Sequence, residues 1–316
     1  MELRQLRYFV AIADSGSFTK AAERVFVAQS ALSHQLAQLE GELGVSLFER
    51  SRRGVGLTEA GQRFFPHAVS ILRQAEEAMA SARSTRQEPE GPVVFGLPHS
   101  ASSALALPLM REVRQRFPRV TLELTEELTG NLSRQLRTGQ IQLAVLFDDG
   151  QLGGFSVTSV LSERLCLIEP ASAPRTGRQG RTLTLKQALA QPLILPASPH
   201  GVRPIIEAAA AAAGLPPPRV EADISSISIL RTTLLAGLGR TLLPVMPLQA
   251  DIEAGLLRAT PVGSPPLERV LAVCSSAHIP RSMACQAVAA LAVALMQQLS
   301  RQGQWVGARA LVRGPG

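Results

Sequence analysis

Polar side chains recur along residues 29–43 at positions from which they could hydrogen-bond to the edges of base pairs. If this segment is a helix, one stripe of leucines points into a core: Leu32, Leu36, Leu39 and Leu43. The opposite face carries small or hydrogen-bonding side chains, which suit the major groove of DNA, and the N-terminal part of such a helix reaches the bases. The candidates for base contact are Gln29, Ser30, Ser33, His34 and Gln38.

A cluster of arginines follows in the segment LFERSRRGVGLT, residues 47–58. Leu47 and Phe48 are apolar anchors, and the glycines at positions 54 and 56 permit a tight hairpin. A short hairpin with arginines near its tip can contact phosphate groups or enter the minor groove. The candidates for these contacts are Arg50, Arg52 and Arg53, and Thr58 is placed to cap the next helix.

Two further helices must hold these features in place. Apolar residues at helical intervals predict a first helix over residues 2–13, which Asp14, Ser15 and Gly16 break. Ser17 is a suitable N-cap for a second helix over residues 18–26. Together with residues 29–43 and the hairpin, these helices predict an all-α winged helix-turn-helix. On the helical pattern alone, the alternative is an ordinary bundle with solvated faces.

The whole string SFTKAAERVFVAQSALSHQLAQLEGELGVSLFERSRRGVGLTEAG, residues 17–61, strongly resembles the N-terminal domain of LysR-type transcriptional regulators. Two positions depart from the usual pattern: Ser30 stands where proline is common, and Val25 where leucine is common. The resemblance implies double-stranded DNA and a small-molecule effector as partners. It also implies self-association as a dimer of dimers, a homotetramer, and contact with RNA polymerase.

A long linker helix is predicted from Thr58 to about Arg86, followed by a hinge at residues 87–92. Apolar residues recur there at alternating spacings of four and three: Phe64, Ala68, Ile71, Ala75, Ala78 and Ala82. This heptad seam suits pairing with a second copy, which would present two recognition helices about one DNA turn, ~34 Å, apart. The alternative is an amphipathic helix packed on its own chain. Pro66 lies near the start, where a kink or a first-turn position is tolerable.

From Pro92 onward predicted strands alternate with predicted helices, which favours a mostly parallel sheet with helices on both faces. The segments LTGNLSRQLRTGQIQLAVL, residues 128–146, and GLGRTLLP, residues 237–244, resemble the effector domain of the same family. That domain is similar to periplasmic binding proteins, so the resemblance implies an α/β fold with two lobes and two crossover strands. Gln142 departs from the aspartate often seen at its position.

The predicted organisation therefore has four parts. They are a winged helix-turn-helix DNA-binding domain, 1–58; a linker (dimerisation) helix and hinge, 59–91; an effector-binding domain, 92–300; and a C-terminal tail, 301–316. Within the effector-binding domain, lobe one is predicted over 92–162 and 269–300, and lobe two over 163–268.

Ligands of such folds lie outside the carboxyl ends of the strands, where helix N-termini offer free N–H groups. The candidate effector-binding residues lie near predicted helix starts and strand ends: Ser100, Ser102, Ser103, Thr129, Phe147, Ser198, His200, Arg203 and Ser226. For each polar residue the alternative is a cap alone. His200 could also be a surface loop residue, and Arg203 could form an ion pair between the lobes.

A cluster of helix N-termini together with Arg203 favours a small organic anion, such as a carboxylate, as the effector. The segment LILPASPHGVR, residues 193–203, is similar to the corresponding loop of regulators of nitrogen assimilation or of aromatic and organic-acid metabolism. We therefore expect an effector from one of those areas of metabolism.

Nothing in the sequence indicates an enzymatic site. The five histidines show no HExxH spacing, and there is no GxSxG, P-loop or complete GxGxxG motif. We therefore predict a protein that is not an enzyme and that needs no cofactor or metal. The alternative function is a redox-responsive regulator that uses Cys166, Cys274 or Cys285, although their spacing is more typical of reduced, mostly buried thiols.

Charge is unevenly distributed along the chain. Residues 1–90 carry 11 basic and 11 acidic residues, so the net charge of +7 resides entirely in residues 91–316. Net charge therefore does not indicate DNA binding here. The local arginine cluster does indicate it. No apolar run approaches the ~20 residues of a membrane span, and the N-terminus has no apolar signal segment, so we expect a cytoplasmic protein without a membrane partner. The tail could be disordered or could dock on a lobe.

Overall fold

The computed structural model describes residues 1–51, 54–83, 88–148, 150, 152–178, 180–197, 201–263 and 266–311. The chain divides into two compact units. The first comprises Met1–Gln87 together with Arg137–Gln140, and the second comprises Glu88–Leu136 together with Ile141–Gly316. Each unit buries apolar side chains in cores of its own.

Three helices of the first unit surround one apolar core: α1 Leu3–Ser15, α2 Phe18–Arg24 and α3 Gln29–Leu43. Phe9 lies at its centre, and its ring centroid is 5.3 Å from that of Phe48 and 5.2 Å from that of Phe64. The Ser17 side chain accepts a hydrogen bond from the backbone N–H of Lys20, which confirms it as the cap of α2. Glycines in the left-handed conformation end α1 and α3.

The bounds of α3 are those predicted from the leucine stripe, whereas α2 is shorter than predicted. It ends at Arg24, and Phe26 adopts a φ of 57°, which an α-helix does not allow. Leu32, Leu36 and Leu39 are buried as expected. Leu43 is 38% exposed, so the prediction that it points into the core was wrong. It is the last residue of the helix.

A two-stranded antiparallel hairpin follows, formed by β1 Phe48–Ser51 and β2 Gly54–Leu57. The hairpin itself was predicted, but Gly54 and Gly56 lie within β2 and not at the turn. Thr58 caps the next helix, because its Oγ1 accepts a hydrogen bond of 3.0 Å from the backbone N–H of Gly61. A Cβ at Gly61 would lie 2.1 Å from the carbonyl oxygen of Leu47, so only glycine fits there.

The long helix α4 Glu59–Arg83 leads away from the hairpin. Part of its predicted heptad seam packs on its own chain, since Phe64, Ala68 and Ile71 belong to the core around Phe9. Ala68 is fully buried in this core and is not available to a second copy, whereas Phe64 and Ile71 are half-buried, so their part in pairing remains a prediction. Pro66 lies inside α4 and not in its first turn.

One lobe of the second unit, called lobe one here, is built on a mixed sheet. Its six described strands stand in the order β13-β6-β12-β5-β3-β4. Only β3 pairs in parallel, with β4 and with β5, whereas β12 runs antiparallel to β5 and β6. The strands are β3 Gly91–Leu97, β4 Val120–Glu126, β5 Leu143–Phe147, β6 Phe155–Arg164, β12 Glu268–Ser276 and β13 Ala308–Ala310.

Helices cover both faces of this sheet, as predicted: α5 His99–Arg116, α6 Thr129–Arg137 and α11 Met283–Arg301. Successive residues of β5 alternate between the faces. Leu143 and Val145 join the core with α5 and α11, whereas Ala144 and Leu146 join the core with α6. Gln142 accepts a hydrogen bond of 2.7 Å from the backbone N–H of Val94, which gives this departure from the family pattern a contact of its own.

Lobe two holds the strands and helices from β7 to β11. Its strands are β7 Cys166–Pro170, β8 Leu193–Leu195, β9 Val220–Asp223, β10 Thr241–Leu243 and β11 Leu257–Pro261, and its helices are α7 Leu185–Leu189, α8 Arg203–Ala212, α9 Ile227–Leu235 and α10 Gln249–Glu253. A 3₁₀ turn, Met246–Leu248, precedes α10. Strand β7 pairs antiparallel with β10 and β11, and β8 runs parallel to β9.

The prediction of a mostly parallel sheet was therefore wrong in both lobes. The βαβ rhythm of the first strands holds, but the chain returns to lobe one through long connections that reverse the strand direction. Between the lobes, Leu165 donates a backbone hydrogen bond of 2.8 Å to Leu267. Two chain segments thus cross side by side. The exact limits of the four predicted domains remain predictions.

The C-terminal helix α11 packs in the core of lobe one, with nine buried residues along its length. By length and composition alone it could span a membrane, although half of its apolar window is buried inside the protein. The following segment docks on the same lobe. Trp305 is 1% exposed, and β13 extends the sheet at the outer edge of β6.

Candidate functional site

The outward face of α3 carries the side chains predicted to read DNA bases. Gln29, Ser30, His34 and Gln38 are exposed, and Ser33 is half-buried. His34 and Gln38 lie one helical turn apart, with 3.2 Å between the Nε2 atoms of their side chains. The N-cap residue, Ala28, makes no side-chain hydrogen bond to the helix. The first N–H groups of α3 can therefore bind an anionic group such as a phosphate.

Two other features of the same unit are relevant to DNA binding. The hairpin β1–β2 holds Arg50 within a strand, although its side chain lies outside the described residues, as do Arg52 and Arg53. Phe26 is 94% exposed in the turn before α3. Phe26 was predicted to end the second helix and not to be exposed beside α3, whereas it adopts a φ of 57° in the turn between the two helices.

A cavity of about 70 Å³ lies in the second unit, between the two lobes. Residues at the carboxyl ends of several strands line it. In lobe one Pro98 follows β3, Glu127 follows β4, and Phe147 ends β5. From lobe two, Pro196 follows β8 and Ile224 follows β9. This is where ligands bind in α/β folds, because loops and helix N-termini converge there.

Four helices present their N-terminal ends to the cavity. Ser100 lies in the first turn of α5, and Thr129 begins α6. Val202 is the N-cap of α8, and Ser225 directly precedes the N-cap of α9. Free N–H groups and positive dipole ends at these termini favour a negatively charged ligand group. Most of the remaining wall is apolar and includes Leu128, Phe147, Ile224, Ile227 and Leu230.

The predicted effector-binding residues divide by their position relative to this cavity. Ser100, Thr129 and Phe147 line it, whereas Ser102, Ser103, Arg203 and Ser226 are not among the described lining residues. Ser198 and His200 lie outside the described residues. The same loop nevertheless reaches the cavity at Pro196 and at Gly201, with Val202 beside it.

The predicted residues outside the lining have other partners. The Ser102 hydroxyl donates to the Glu126 carboxylate, and the Ser103 hydroxyl donates to the carbonyl oxygen of His99 at 3.2 Å. Ser226 caps α9 by accepting from the backbone N–H of Ile229. Arg203 pairs with Glu207 at 2.5 Å and with Asp223 at 3.2 Å. Both carboxylates belong to lobe two, so this is not the ion pair between lobes considered above.

Arg269 is the arginine among the described residues that line the cavity, and it was not predicted from the sequence. It lies in β12, opposite Glu163 of β6. Its Nε and Nη2 donate to Glu163 Oε2 at 2.7 and 2.5 Å, and Nη2 also donates to Ser100 Oγ at 2.6 Å. Its Cζ lies 4.0 Å from the ring centroid of Phe147. No hydrogen-bond partner of Nη1 occurs among the described residues, so this nitrogen can bind a ligand.

Glu163 is held from the other side by the C-terminal segment. Trp305 Nε1 donates to Glu163 Oε1 at 2.6 Å, and both side chains are buried. An arginine in the apolar run of β12 and a single tryptophan in the tail were the available signals in the sequence. Their connection became visible only in the folded chain, because Trp305 and Glu163 are 142 residues apart.

The three cysteines are free and buried. Burial raises the pKa of Cys166 to about 11, against a smaller opposing effect of Arg164. Burial, and then the negative charge of Asp148, raise the pKa of Cys274 to about 12. At neutral pH these two groups are therefore thiols and not reactive thiolates. Among the described residues no cluster of three or more His, Cys, Asp or Glu could hold a metal ion.

Comparison with known proteins agrees with both units. Residues 3–62 match the family model of the bacterial regulatory helix-turn-helix protein, lysR family, and residues 86–297 match the LysR substrate binding domain. Over 305 residues the chain is 33% identical to the nitrogen assimilation regulatory protein nac of Klebsiella aerogenes, covering 96% of this chain and 98% of that protein.

Solved structures have the same fold. A full-length OxyR variant from Pseudomonas aeruginosa matches with a TM-score of 0.68 at 24% identity, covering 94% of this chain and 95% of that one. Full-length CbnR complexed with its target DNA matches with a TM-score of 0.67 at 23% identity, covering 94% and 100%. At these identities the likeness concerns the fold, whereas the family models cover the sequence of both units. The chain belongs to the LysR family of bacterial helix-turn-helix transcriptional regulators.

Proposed function

We propose that this regulator binds a small organic anion in the cavity between the lobes, and that the anion controls its binding to promoter DNA. The observation that carries the proposal is Arg269, which lines the cavity while one of its nitrogens has no partner among the described residues. A carboxylate can accept hydrogen bonds from that nitrogen and from the N-terminus of α5, where Ser100 lies.

The apolar wall indicates what the rest of the ligand resembles. Phe147, Ile227 and Leu230 offer no hydrogen bonds, so they favour a hydrocarbon body attached to the carboxylate. Arg269 is paired with Glu163, and the carboxylate of Glu127 also lines the cavity, so the site has no excess positive charge. This argues for a monoanion or a weakly charged ligand over a polyphosphate, whose charge the site could not balance.

We propose further that the controlled genes belong to nitrogen metabolism, with organic-acid or aromatic metabolism as the wider field. Support comes from the 33% identity with a protein named for nitrogen assimilation, which extends over 96% of this chain. A regulator with this role works in the cytoplasm, where the chromosome and RNA polymerase are found.

For DNA, we propose base contacts from the exposed face of α3, at Gln29, Ser30, Ser33, His34 and Gln38, and phosphate or minor-groove contacts from Arg50, Arg52 and Arg53. Two copies pair through the part of α4 beyond its contacts with the core, where Ala78, Met79 and Ala82 are exposed, and two such dimers assemble. The ligand shifts the population of lobe arrangements and hence the spacing of the DNA-binding units. It does so only if it binds one arrangement more tightly.

The redox alternative has less support. The raised pKa values of Cys166 and Cys274 make both thiols poor nucleophiles at neutral pH, and Cys285 is buried. Sensor cysteines are typically exposed and have a lowered thiol pKa, whereas these cysteines are buried and the pKa values of Cys166 and Cys274 are raised.

Calorimetry with the full-length protein tests the anion proposal. Butanoate, benzoate and succinate are titrated beside their neutral amides, butanamide, benzamide and succinamide. We expect at least one carboxylate to bind and its amide to bind at least about tenfold more weakly, since an amide carries no charge to pair with Arg269. Heat from the amides but not from the carboxylates would overturn the proposal.

A pair of arginine variants locates the site. Arg269→Lys should abolish the preference for the carboxylate, because an ammonium group cannot hold Glu163 and a ligand in the same fork-like geometry. Arg203→Ala is the matched control, since Arg203 is engaged with Glu207 and Asp223. Selection of bound duplexes from a random DNA pool, with and without the bound carboxylate, then identifies the promoters and shows whether the ligand alters their recognition.

A further inference from the structure

The segment that follows α11 is built into lobe one by both its backbone and its side chains. Strand β13 pairs with β6 so that Ala308 stands opposite Glu163. The backbone N–H of Arg164 donates to the carbonyl oxygen of Gly307 at 3.0 Å, and that of Leu311 donates to Val160 at 2.9 Å. The segment therefore fixes the backbone of β6 on both sides of Glu163.

Trp305 adds a side-chain contact to the same residue. Its indole N–H donates to Glu163 Oε1 over 2.6 Å in a fully buried position. A buried carboxylate oxygen without a donor is costly, and a hydrogen bond to a charged acceptor is stronger than a neutral one. This bond therefore determines the orientation of the Glu163 carboxylate.

The orientation of Glu163 in turn determines the position of Arg269. Because Oε1 is engaged by Trp305, only Oε2 accepts from Arg269, and it accepts from both Nε and Nη2. If Oε1 lost its donor, the carboxylate could rotate and take Nε and Nη2 on separate oxygens in the preferred bidentate geometry. The guanidinium would then move toward Glu163 and away from Ser100 and the cavity.

We propose that the C-terminal segment is a working part of the effector site, with Trp305 as a positioning residue that holds Arg269 available to an anionic ligand through Glu163. This inference rests on the proposed anion site. Residues 302–311 then influence ligand affinity, although they lie outside the helices and strands predicted for the sensor. Trp305 does not touch the ligand in this arrangement, because it is not among the residues that line the cavity.

The hydrogen bond itself can be tested without a ligand. Trp305 is the only tryptophan, so the ¹⁵N-labelled full-length protein gives a single indole N–H resonance. A bond to a carboxylate moves that proton downfield, and Glu163→Gln should move it back upfield while the tryptophan stays buried. An unchanged resonance in Glu163→Gln would overturn the proposal, because the carboxylate would then not be the acceptor.

Ligand affinity is tested with the three carboxylates and three amides named above. Trp305→Phe keeps an aromatic ring and removes the donor, so it should weaken carboxylate binding about tenfold and change amide binding less than about twofold. Arg309→Ala is the matched control in the same segment. Its side chain is 69% exposed and 3.6 Å from Glu268, so both affinities should stay within about twofold of wild type.

Glu163→Gln supplies a second variant with an effect of opposite sign. Without the negative charge of Glu163, Arg269 lacks its counter-ion, so the carboxylates should bind at least about threefold more tightly. A purely structural role for Trp305 would change carboxylate and amide binding alike, and that result would overturn the inference. Wild-type protein that binds none of the three carboxylates would instead overturn the anion site, and the role of Trp305 with it.

Discussion

Arg269 and Glu163 face each other on neighbouring antiparallel strands and form a buried ion pair in which one carboxylate oxygen takes both hydrogen bonds from the arginine. Each charge compensates the other where water cannot, since their side chains are 2% and 0% exposed. Such a pair contributes little net stability by itself, but removing one member leaves an uncompensated buried charge. The pair therefore couples the stability of lobe one to the charge of the ligand cavity.

A double-mutant cycle tests this coupling. Arg269→Met should lower the free energy of unfolding by about 3–5 kcal/mol, because Glu163 is left charged and buried. Adding Glu163→Gln should recover about 2 kcal/mol, since glutamine is neutral and can still accept from Trp305. Urea unfolding, followed by the fluorescence of Trp305, measures the free energy of unfolding of each variant. If the double variant lost the sum of the single losses, the two residues would not interact.

A second prediction concerns the DNA-binding unit and two glycines in helices. Gly61→Ala should destabilise the unit by about 1–3 kcal/mol, because the new Cβ would stand 2.1 Å from the Leu47 carbonyl oxygen and push the hairpin off α4. Gly41→Ala is the control in α3. No atom lies within 4 Å of its Cβ position, so it should stabilise by about 0.5–1 kcal/mol. Thermal unfolding followed by circular dichroism gives both values, and equal effects would contradict the packing argument.

The parts of the fold that sequence could predict are those with local signals. The leucine stripe of α3 and the serine before α2 specify their elements within one or two helical turns, and α3 has its predicted bounds. The alternation of strands and helices after Pro92 was likewise predicted, as in β3, α5 and β4. Such signals depend on residues close in the chain, so they need no knowledge of the partner element.

The features that were not predicted from the sequence depend instead on residues far apart in the chain. The direction of β12 depends on how the chain returns from lobe two, which no periodicity within β12 records. The stripe at Phe64, Ala68 and Ile71 was ambiguous because α1 or a second copy could cover it. The Arg269–Glu163 pair joins residues 106 positions apart. A lone arginine in an apolar strand signals a buried partner, but not which one.

The stability of lobe two should depend on pH through Glu169. Burial alone would raise the pKa of this carboxyl, but hydrogen bonds from Thr176, Arg240 and Arg258 outweigh it and hold the pKa below its ordinary value. A group whose pKa is lower in the folded state stabilises above its unfolded pKa, about 4.3 for glutamate. That contribution is lost as the pH falls through the lower, folded value.

Glu169→Gln measures this contribution. At pH 7 the variant should be less stable than wild type by about 3–5 kcal/mol, because Arg240 and Arg258 lose their shared carboxylate. The difference should shrink as the pH is lowered from 5 to 3, since the wild-type carboxyl then protonates. Urea unfolding at several pH values follows it. Glu221→Gln is the control, because its ion pair with Arg219 is exposed and costs less than about 1 kcal/mol. A difference that did not vary with pH would mean that the charge of Glu169 is not what stabilises the lobe.

Thiol chemistry gives a fourth prediction. With pKa values of about 11 and about 12, Cys166 and Cys274 should react with iodoacetamide at pH 7 far more slowly than an exposed cysteine does. In urea all three cysteines should react quickly, because burial no longer protects them. Mass spectrometry of the folded and unfolded protein counts the labels. Stoichiometric oxidation of one thiol by equimolar peroxide in the folded protein would restore the redox alternative.

DNA recognition by α3 should depend on the exposed imidazole of His34, which stands 3.2 Å from Gln38 on the outward face. If His34 contacts a base, His34→Ala should weaken binding to a selected site by about 1–3 kcal/mol and leave binding to a scrambled duplex nearly unchanged. Arg53→Ala, predicted from sequence to contact phosphate, should weaken both complexes and reduce the dependence of affinity on salt. Fluorescence anisotropy with both duplexes at three salt concentrations separates the two roles. Equal losses on both duplexes for His34→Ala would assign this histidine to the DNA backbone.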